Sequence, residues 1–591
     1  MIKLNYNIQF KIVLIIILIC SNACNKLNTN KSTTNTNTPY TMPAEAYLAL
    51  AKNQNNNDNR NMLLMAAGSY IESGNLQQAA KILQQIINPS INQFSEKNIL
   101  SAKIKNHHHQ YKEAISQLAT IQNLHDLPIY YQQQYHEVLA ISYMNTNNFI
   151  DAINERIVLA ALISDPNSNI NNNRNLWLLL LRLSNAELQT LYLETINQPI
   201  LQGWLKLSLI ARETRQQIFF DQLQTWQQQY PQHQANSILT NITELSASIN
   251  NSNSSQQIAV LLPITGIFSG PGTAIRDGIF AANRAENIPN INIQVYDTNN
   301  IAAAELYNQA IINGADLIIG PLLKDDVAAV AQLEHPVPTL LLNDSNIHND
   351  SNLYSFNLSP MIESQQLAAQ AHKNGYYQTL IIAPNNSWSI NIINTFNKTW
   401  SKNNGIVVDT LLYDDNTNFN IAIRDFLKVS ANQANAPQYH TQITSPRRQD
   451  FDMIFLLAYP SKAAQIMPML RYYFANDIPI YALSLTYAGN INTLRDQDLD
   501  GIMFLDMPWI FDHQLENKNW PEQFNSYTRL YAMGISSYAI VIQLAKLIVF
   551  PAIVDNVTQM ILYLNQLHQI IIIPALGKFN HGHAQFISFT A

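Results

Sequence analysis

The chain has 591 residues, 47% hydrophobic and 13% charged, with a net charge of −7 and a pI of about 6.0. That length exceeds a single hydrophobic core and predicts two or three domains. The apolar content excludes a wholly disordered chain, and the lack of a dominant basic patch excludes nucleic acid as a main partner.

Lys3 and Lys11 supply a positive flank, and Ile12–Ile19 is an unbroken apolar run. It is well short of the ~20 residues that span a bilayer, so it reads as a processing segment. Ser21-Asn22-Ala23-Cys24 then resembles a bacterial lipobox, whose cysteine is diacylated and becomes the new N-terminus. Ser21 stands where Leu is usual. Cys20 is the rival, but it follows bulky Ile19, which suits cleavage poorly. An ordinary secretory signal with an incidental cysteine is the alternative. Asn25, where an Asp would retain a lipoprotein at the inner membrane of enteric bacteria, favours the outer membrane. The chain has 2 Cys, both in this segment, so lipidation of Cys24 would leave the mature protein without a thiol or a disulfide. Residues 1–23 are therefore predicted as a lipoprotein signal peptide and 24–42 as a lipidated tether. The tether, Asn25–Thr41, is polar and of low complexity; about 16 such residues span roughly 20–24 Å on average.

Residues 43–246 carry a helical pattern with an internal repeat. Ala67, Tyr70, Gly74, Ala79 and Leu83 fall at offsets 8, 11, 15, 20 and 24 of a tetratricopeptide-like (TPR-like) unit. Ala102, Ala114 and Leu118, then Ala140, Tyr143 and Ala152, repeat the pattern. Small residues at 8 and 20 let two antiparallel helices approach closely, and such pairs stack into a solenoid. An irregular helical bundle is the alternative. Helices Leu176–Leu183, Glu187–Ile196, Ile200–Arg212 and Gln216–Tyr230 follow without the repeat.

Residues 247–257 form a polar linker, after which the grammar changes. Short β-rich apolar runs (Ile258–Leu262, Ile291–Tyr296, Leu317–Ile319, Thr339–Leu342, Thr379–Ala383, Val407–Tyr413, Met453–Ala458 and Ile480–Leu483) alternate with helical segments. Continuous apolar strands separated by helices predict parallel sheets covered on both faces. The roughly 330 residues of 258–591 are too many for one such sheet, and two doubly wound lobes with a cleft between them are the economical solution. Ile535–Phe550 is apolar but interrupted by Gln543 and Lys546, and reads as a core helix.

Ile258-Ala-Val-Leu-Leu-Pro-Ile-Thr-Gly266, Gly270, Gly272 and Ile275-Arg-Asp-Gly278 resemble the opening of type I periplasmic-binding-protein folds. Asp316-Leu-Ile-Ile-Gly-Pro321 resembles the strand that ends at their ligand cleft. Gln202-Gly-Trp-Leu205, Asp506-Met-Pro-Trp509 and Arg529-Leu-Tyr-Ala-Met-Gly534 are more specific. With the signal segment and the helical region, they resemble the LppC/LpoA family of penicillin-binding-protein activators over nearly the whole chain. After about Phe550 only Gly577-Lys-Phe579 is recognisable.

The resemblance implies a multidomain chain: an all-α TPR-like solenoid followed by an α/β two-lobed type I periplasmic-binding-protein fold. It implies an outer-membrane lipoprotein facing the periplasm. Such a protein binds a class A penicillin-binding protein, a bifunctional peptidoglycan synthase, and stimulates its transpeptidase. The alternative is a lipid-anchored periplasmic receptor for an amino-acid-like small molecule.

Catalytic signatures are missing from the sequence. There is no G-x-S-x-G elbow, no S-x-x-K followed by K-T-G, and no H-E-x-x-H, and Ser461-Lys462 has the wrong spacing. The chain is thus predicted to be a regulator and not an enzyme, without cofactor or metal. Thr265, Ser269, Gly270, Gly272, Pro321 and Asn343 lie at predicted strand ends and are the candidate cleft residues. Gly270-Pro271-Gly272 suits either an anion at a helix N-terminus or a tight βα turn. His107-His-His109 points three ways on a helix and reads as a solvated helix end. His581 and His583 have strand spacing on one face. Arg447-Arg448 reads as a solvated or partner-facing loop, and Trp388, Trp400 and Trp509 as core.

Overall fold

The computed structural model of the chain describes residues 38–52, 56–213, 216–239, 256–345, 350–430, 446–489, 491–511, 528–555 and 557–589. The signal segment, Cys24, nearly all of the tether and nearly all of the 247–257 linker lie outside the described residues. The chain packs as two compact units. One runs to Leu100 and includes Asn123–Gln132; the other comprises Ser101–Gln122 and Gln133 onward. Among the described residues no helix is long and apolar enough to cross a membrane.

Eleven described helices precede the linker: α1 (Ala44–Ala51), α2 (Asn56–Glu72), α3 (Leu76–Gln85), α4 (Ile91–His107), α5 (Tyr111–Leu118), α6 (Ile129–Asn145), α7 (Phe149–Leu162), α8 (Pro166–Leu180), α9 (Asn185–Glu194), α10 (Pro199–Ala211) and α11 (Gln216–Gln229). The repeat is visible in them. Ala67, Ala79, Ala102, Ala114 and Ala152 are fully buried and Ala140 is 1% exposed. Each pair, α2–α3, α4–α5 and α6–α7, is joined by a turn with one residue in the left-handed region: Gly74 (φ 80°), His109 (φ 59°) and Asn147 (φ 60°). All three stand at offset 15 of their repeat. His109 is thus a turn residue that ends its helix, and its Nδ1 lies 2.8 Å from the Tyr111 hydroxyl.

The α/β region holds two sheets. The first has the order β11-β12-β13-β5-β4-β3-β1-β2 and the second β15-β14-β10-β9-β8-β6-β7. Lobe 1 is built on β1 (Gln256–Leu262), β2 (Ile291–Asp297), β3 (Leu317–Ile319), β4 (Thr339–Leu341) and β5 (Leu353–Phe356), all parallel. Lobe 2 is built on β6 (Gln378–Pro384), β7 (Ile406–Tyr413), β8 (Met453–Leu456), β9 (Ile480–Ala482) and β10 (Ile502–Asp506), again parallel. The helices between them are α12 (Ser269–Glu286), α13 (Ala303–Ile312), α14 (Lys324–Val330), α15 (Pro360–Lys373), α16 (Ser387–Lys402), α17 (Phe419–Phe426) and α18 (Pro460–Tyr472). Ile258–Leu262 and Leu380–Ala383 are wholly buried, as strands covered on both faces must be.

Helices α19 (Thr528–Ile542) and α20 (Leu544–Val549) return the chain to lobe 1. They are buried on nearly every side, and the helix expected over Ile535–Phe550 is in fact two, broken at Gln543. Strands β11 (Ile553–Val554), β12 (Ile561–Leu564) and β13 (Gln569–Ile573) extend sheet 1, with antiparallel β11–β12 and β12–β13 pairings. β14 (Ala575–Asn580) and β15 (His583–Phe589) extend sheet 2 as an antiparallel hairpin. The chain thus changes lobe across the single residue Pro574.

The helical layer of the larger unit docks on lobe 1. The Trp177 indole stacks on Phe550, with centroids 4.9 Å apart and an interplanar angle of 7°, and its Nε1 donates to the Ala552 carbonyl at 2.8 Å. Lys546 Nζ lies 5.6 Å from the centre of the Phe219 ring.

Three side-chain expectations need correction. Arg447-Arg448 is not a solvated loop. Arg447 is 5% exposed and its Nη2 donates to both Asp477 carboxylate oxygens, at 3.0 and 2.7 Å, and Arg448 is held between Asp450 and Asp409. His581 and His583 do not share a strand, because His581 is a left-handed turn residue (φ 52°) before β15. Trp400 and Trp509 are core, whereas Trp388 is 37% exposed and stacks on Tyr459.

Candidate functional site

The chain crosses between the lobes at three places: Asn357–Ser359 after β5, the connection from β10 to α19, and Pro574. Asn357–Ser359, Pro574 and the described residues that flank the second connection, Asp506, Met507 and Arg529, line one cavity of about 600 Å³, counting the space at its mouth. Its polar wall includes Glu363, Ser484, Asp506 and Arg529; Ile362, Met507 and Ile572 supply much of the apolar remainder.

Sequence places the polar groups at element ends. Pro360 opens α15 at a position where a missing N–H costs nothing, and Glu363 falls in its first turn. Asp506 ends β10 and Arg529 begins α19. The Arg529 guanidinium donates Nε to Asp506 Oδ1 at 3.0 Å and Nη2 to Oδ2 at 2.5 Å. Nη2 also reaches the carbonyls of Ser484 (3.0 Å) and Tyr487 (3.1 Å). One arginine therefore ties the second crossing to the loops after β9. Glu363 accepts from the Ser484 hydroxyl at 2.9 Å and from the Ser484 backbone N–H.

Burial pushes the Glu363 carboxyl up to about 8; the Ser484 N–H opposes that rise and the nearby Asp506 carboxylate adds to it. Burial acts against the Arg529 charge, but the Asp506 carboxylate outweighs it and holds the guanidinium above its ordinary value. The cavity thus contains a committed ion pair beside a carboxyl that is neutral over much of the ordinary pH range.

Lobe 1 is fixed beside the cavity by a helix crossing without side chains. A Cβ on Gly278 of α12 would lie 2.1 Å from the Tyr531 carbonyl oxygen, and one on Gly534 of α19 would lie 2.1 Å from that of Ile275. Only glycine at both positions permits this approach.

The candidate cleft residues all lie in lobe 1, at the C-terminal ends of β1, β3 and β4, and none lines the hinge cavity. Thr265 is exposed and donates its hydroxyl to Asp297 Oδ2 at 2.5 Å. Burial would raise the Asp297 carboxyl, but this bond and the backbone donors of Asn299 and Ile264 outweigh it and hold it low. Ser269 and Gly270 open α12 and offer carbonyls to the Thr273 hydroxyl. A Cβ on Gly272 would meet the Pro263 carbonyl oxygen at 2.1 Å, so this glycine serves close packing of helix on strand. Pro321 follows Gly320, whose φ of 105° and contact with Leu261 admit no side chain. Asn343 donates to the Leu322 carbonyl at 3.1 Å. β1, β3 and β4 therefore bring the six to one edge, while Thr265 and Asn343 direct polar groups into lobe 1 itself.

The motif residues quoted from the sequence turn out to be architectural. Gly203 and Trp204 of the Gln202–Leu205 run lie in the helical core, where Trp226 Nε1 donates to the Gly203 carbonyl at 2.8 Å and His233 packs edge-on to Trp204. Asp506 and Arg529 form the hinge ion pair, and Gly278 meets the helix carrying Gly534. Sequence reasoning named Asp506 and Arg529 as motif members but missed that they are partners. It missed Glu363 and Ser484 altogether; Pro360 at a helix start with an acid three residues on was the available signal.

A family described as "LppC putative lipoprotein" matches residues 37–566. The penicillin-binding protein activator LpoA of Vibrio cholerae is 26% identical over 511 residues, which are 82% of this chain and 83% of that protein. The protein of the same name from Haemophilus influenzae is 25% identical over 501 residues, 82% of this chain and 81% of that one. A crystal structure of Haemophilus influenzae LpoA superposes with a TM-score of 0.50 at 23% identity, covering 93% of this chain and 98% of that chain, and so has the same fold.

Proposed function

This chain belongs to the LppC lipoprotein family, and on that premise we propose that it binds a class A penicillin-binding protein and stimulates its transpeptidase. It acts from the outer membrane, on the periplasmic side, through lipid on Cys24. The carrying observation is that the likeness to named activators runs through both the helical region and the two-lobed region. The chain is a regulator in this reading and not itself a synthase. A domain that activates a partner needs surface and a defined shape more than a reactive centre. The Asp506–Arg529 pair and the Gly278–Gly534 crossing supply that definition.

The test is capture. Soluble protein starting after Cys24 is immobilised and offered the purified class A synthase of the same cell. Retention of the synthase supports the reading; its passage through unretained would sink it.

The receptor reading has one observation in its favour, the hinge cavity with its polar wall. A thermal shift of the soluble chain against an amino-acid panel decides it, since a ligand at 100 times its Kd adds about 2.7 kcal/mol. No shift across the panel would remove it.

A further inference from the structure

The turn between α3 and α4, in the smaller unit, holds apolar side chains in water. Asn88 takes the left-handed region (φ 48°) and Pro89 follows it. Ser90 and Gln93 then cap α4 reciprocally: the Ser90 N–H donates to Gln93 Oε1 at 3.0 Å, and the Gln93 N–H donates to Ser90 Oγ at 3.4 Å. Gln93 is buried, and its Nε2 donates to Asn61 Oδ1 at 2.6 Å and Asn57 Oδ1 at 3.0 Å on α2. This polar framework fixes the turn against α2. It leaves Ile87 70% exposed, Ile91 66% and Phe94 42%. Ile91 and Phe94 stand three apart on α4 and so share a face.

Cations flank the turn. Arg60 of α2 donates Nη1 to the Ile87 carbonyl at 3.5 Å, and Lys97 of α4 donates Nζ to the Ile86 carbonyl at 3.1 Å. Arg60 also bonds the amides of Gln93 and Asn57, and among the described residues neither cation meets a carboxylate. Asn59 Nδ2 donates to the Ala51 carbonyl at 2.6 Å, which brings exposed Leu50 and Lys52 to the same end of the unit. Against Lys52, Arg60 and Lys97 stands the exposed Asp58; Glu96 is half-buried and bonded to Tyr131. The chain enters the unit close by. A Cβ on Gly68 of α2 would lie 2.0 Å from Tyr40 Cζ, and Met42 offers its carbonyl to the Ser69 hydroxyl at 3.1 Å. Gly68 is about 12 Å from Arg60 along the axis of their helix. Residues 25–37 separate Cys24 from the first described residue and, even fully extended, reach about 50 Å.

We propose that this end of the smaller unit docks on an anionic phospholipid bilayer, with Ile87, Ile91 and Phe94 entering the headgroup region and Arg60 and Lys97 meeting lipid phosphates. The proposal rests on the reading that Cys24 carries lipid, because that anchor keeps the turn within reach of such a surface. Apolar side chains set between cations suit an interface: the acyl boundary takes the former out of water, and anionic headgroups attract the latter. The capping network already holds the turn in shape, so docking needs no refolding. Lipid on Cys24 alone fixes one point of the chain. The turn adds a face, which gives the smaller unit one orientation to the membrane.

The soluble chain starting after Cys24, which has no acyl chain, is floated with vesicles of phosphatidylethanolamine and phosphatidylglycerol and, separately, of phosphatidylcholine, at about 5 mM lipid. We expect it to rise with the anionic vesicles and not with the neutral ones, and the bound fraction to fall as salt is added. Ile87→Asp with Ile91→Asp should lower binding at least about fivefold, and Arg60→Gln with Lys97→Gln should lower it as well. Leu193→Asp with Ile196→Asp, a pair each 69% exposed elsewhere on the chain, should leave it unchanged. The unfolding temperature of each variant shows that it is folded. Because the probe is unacylated, its result stands apart from a Cys24→Ser fractionation, which tests the anchor alone. No flotation of folded wild type, equal flotation with both kinds of vesicle, or equal loss in both apolar variants overturns the proposal. So does a loss of synthase capture, with vesicle binding unchanged, in Ile87→Asp with Ile91→Asp, which would put a protein on the turn instead.

Discussion

Glu363→Gln should stabilise the chain at pH 8 and leave it near wild type at pH 5. The wild-type carboxyl has a folded value of about 8 against an ordinary 4.5, chiefly because burial disfavours its charge. The folded state therefore keeps a proton that the unfolded chain releases, and this contribution to stability is lost as pH rises from about 4.5 to about 8. At about 1.4 kcal/mol per pKa unit, the whole shift amounts to about 3.5 kcal/mol between pH 5 and 8. The carboxyl retains some solvent contact through the cavity, so about 2 kcal/mol is the expected change. Gln keeps an acceptor for Ser484 and carries no charge. Urea unfolding of wild type and variant at pH 5, 6, 7 and 8 cancels every other titrating group in the difference. The difference should grow in favour of the variant by about 2 kcal/mol across that range. A difference that stays constant, or grows toward acid, would refute the account of the hinge.

Arg529→Met leaves Asp506, whose side chain is 1% exposed, charged and without its guanidinium, and should cost about 3–5 kcal/mol in the same unfolding assay; a cost under about 1 kcal/mol would mean that the pair does not hold the hinge. Gly534→Ala forces α19 off the Ile275 carbonyl and should cost about 1–3 kcal/mol in the same assay. Cys24→Ser should move the protein from the membrane fraction to the soluble periplasmic fraction, and retention in membranes would contradict the anchor.

Where period and burial coincide, the sequence predicts structure well. Alanines at offsets 8 and 20 of the repeat are buried, and strands such as Ile258–Leu262 are apolar because both faces are covered. β5, β10 and α15 escaped notice: Leu353–Phe356 is only four residues long and interrupted by polar Ser355, although all four residues are buried. The five C-terminal strands were opaque for a different reason. They add antiparallel edges to two sheets, and whether Ile570–Ile573 ends one lobe or begins the other is decided by Pro574, a tertiary event without a local period. The Arg447-Arg448 pair misled because two adjacent cations look solvated until Asp477, Asp409 and Asp450 are brought to them. The hinge joins residues separated by more than a hundred positions, such as Glu363 with Ser484, and no spacing rule connects them.

The central claim is activation. Its most direct test adds the soluble chain to the cell's own class A penicillin-binding protein with lipid-linked precursor and measures the fraction of cross-linked peptide. The account predicts that this fraction rises with added chain and saturates once the synthase is bound. Cross-linking that does not change while a folded chain is present at saturating concentration would contradict it.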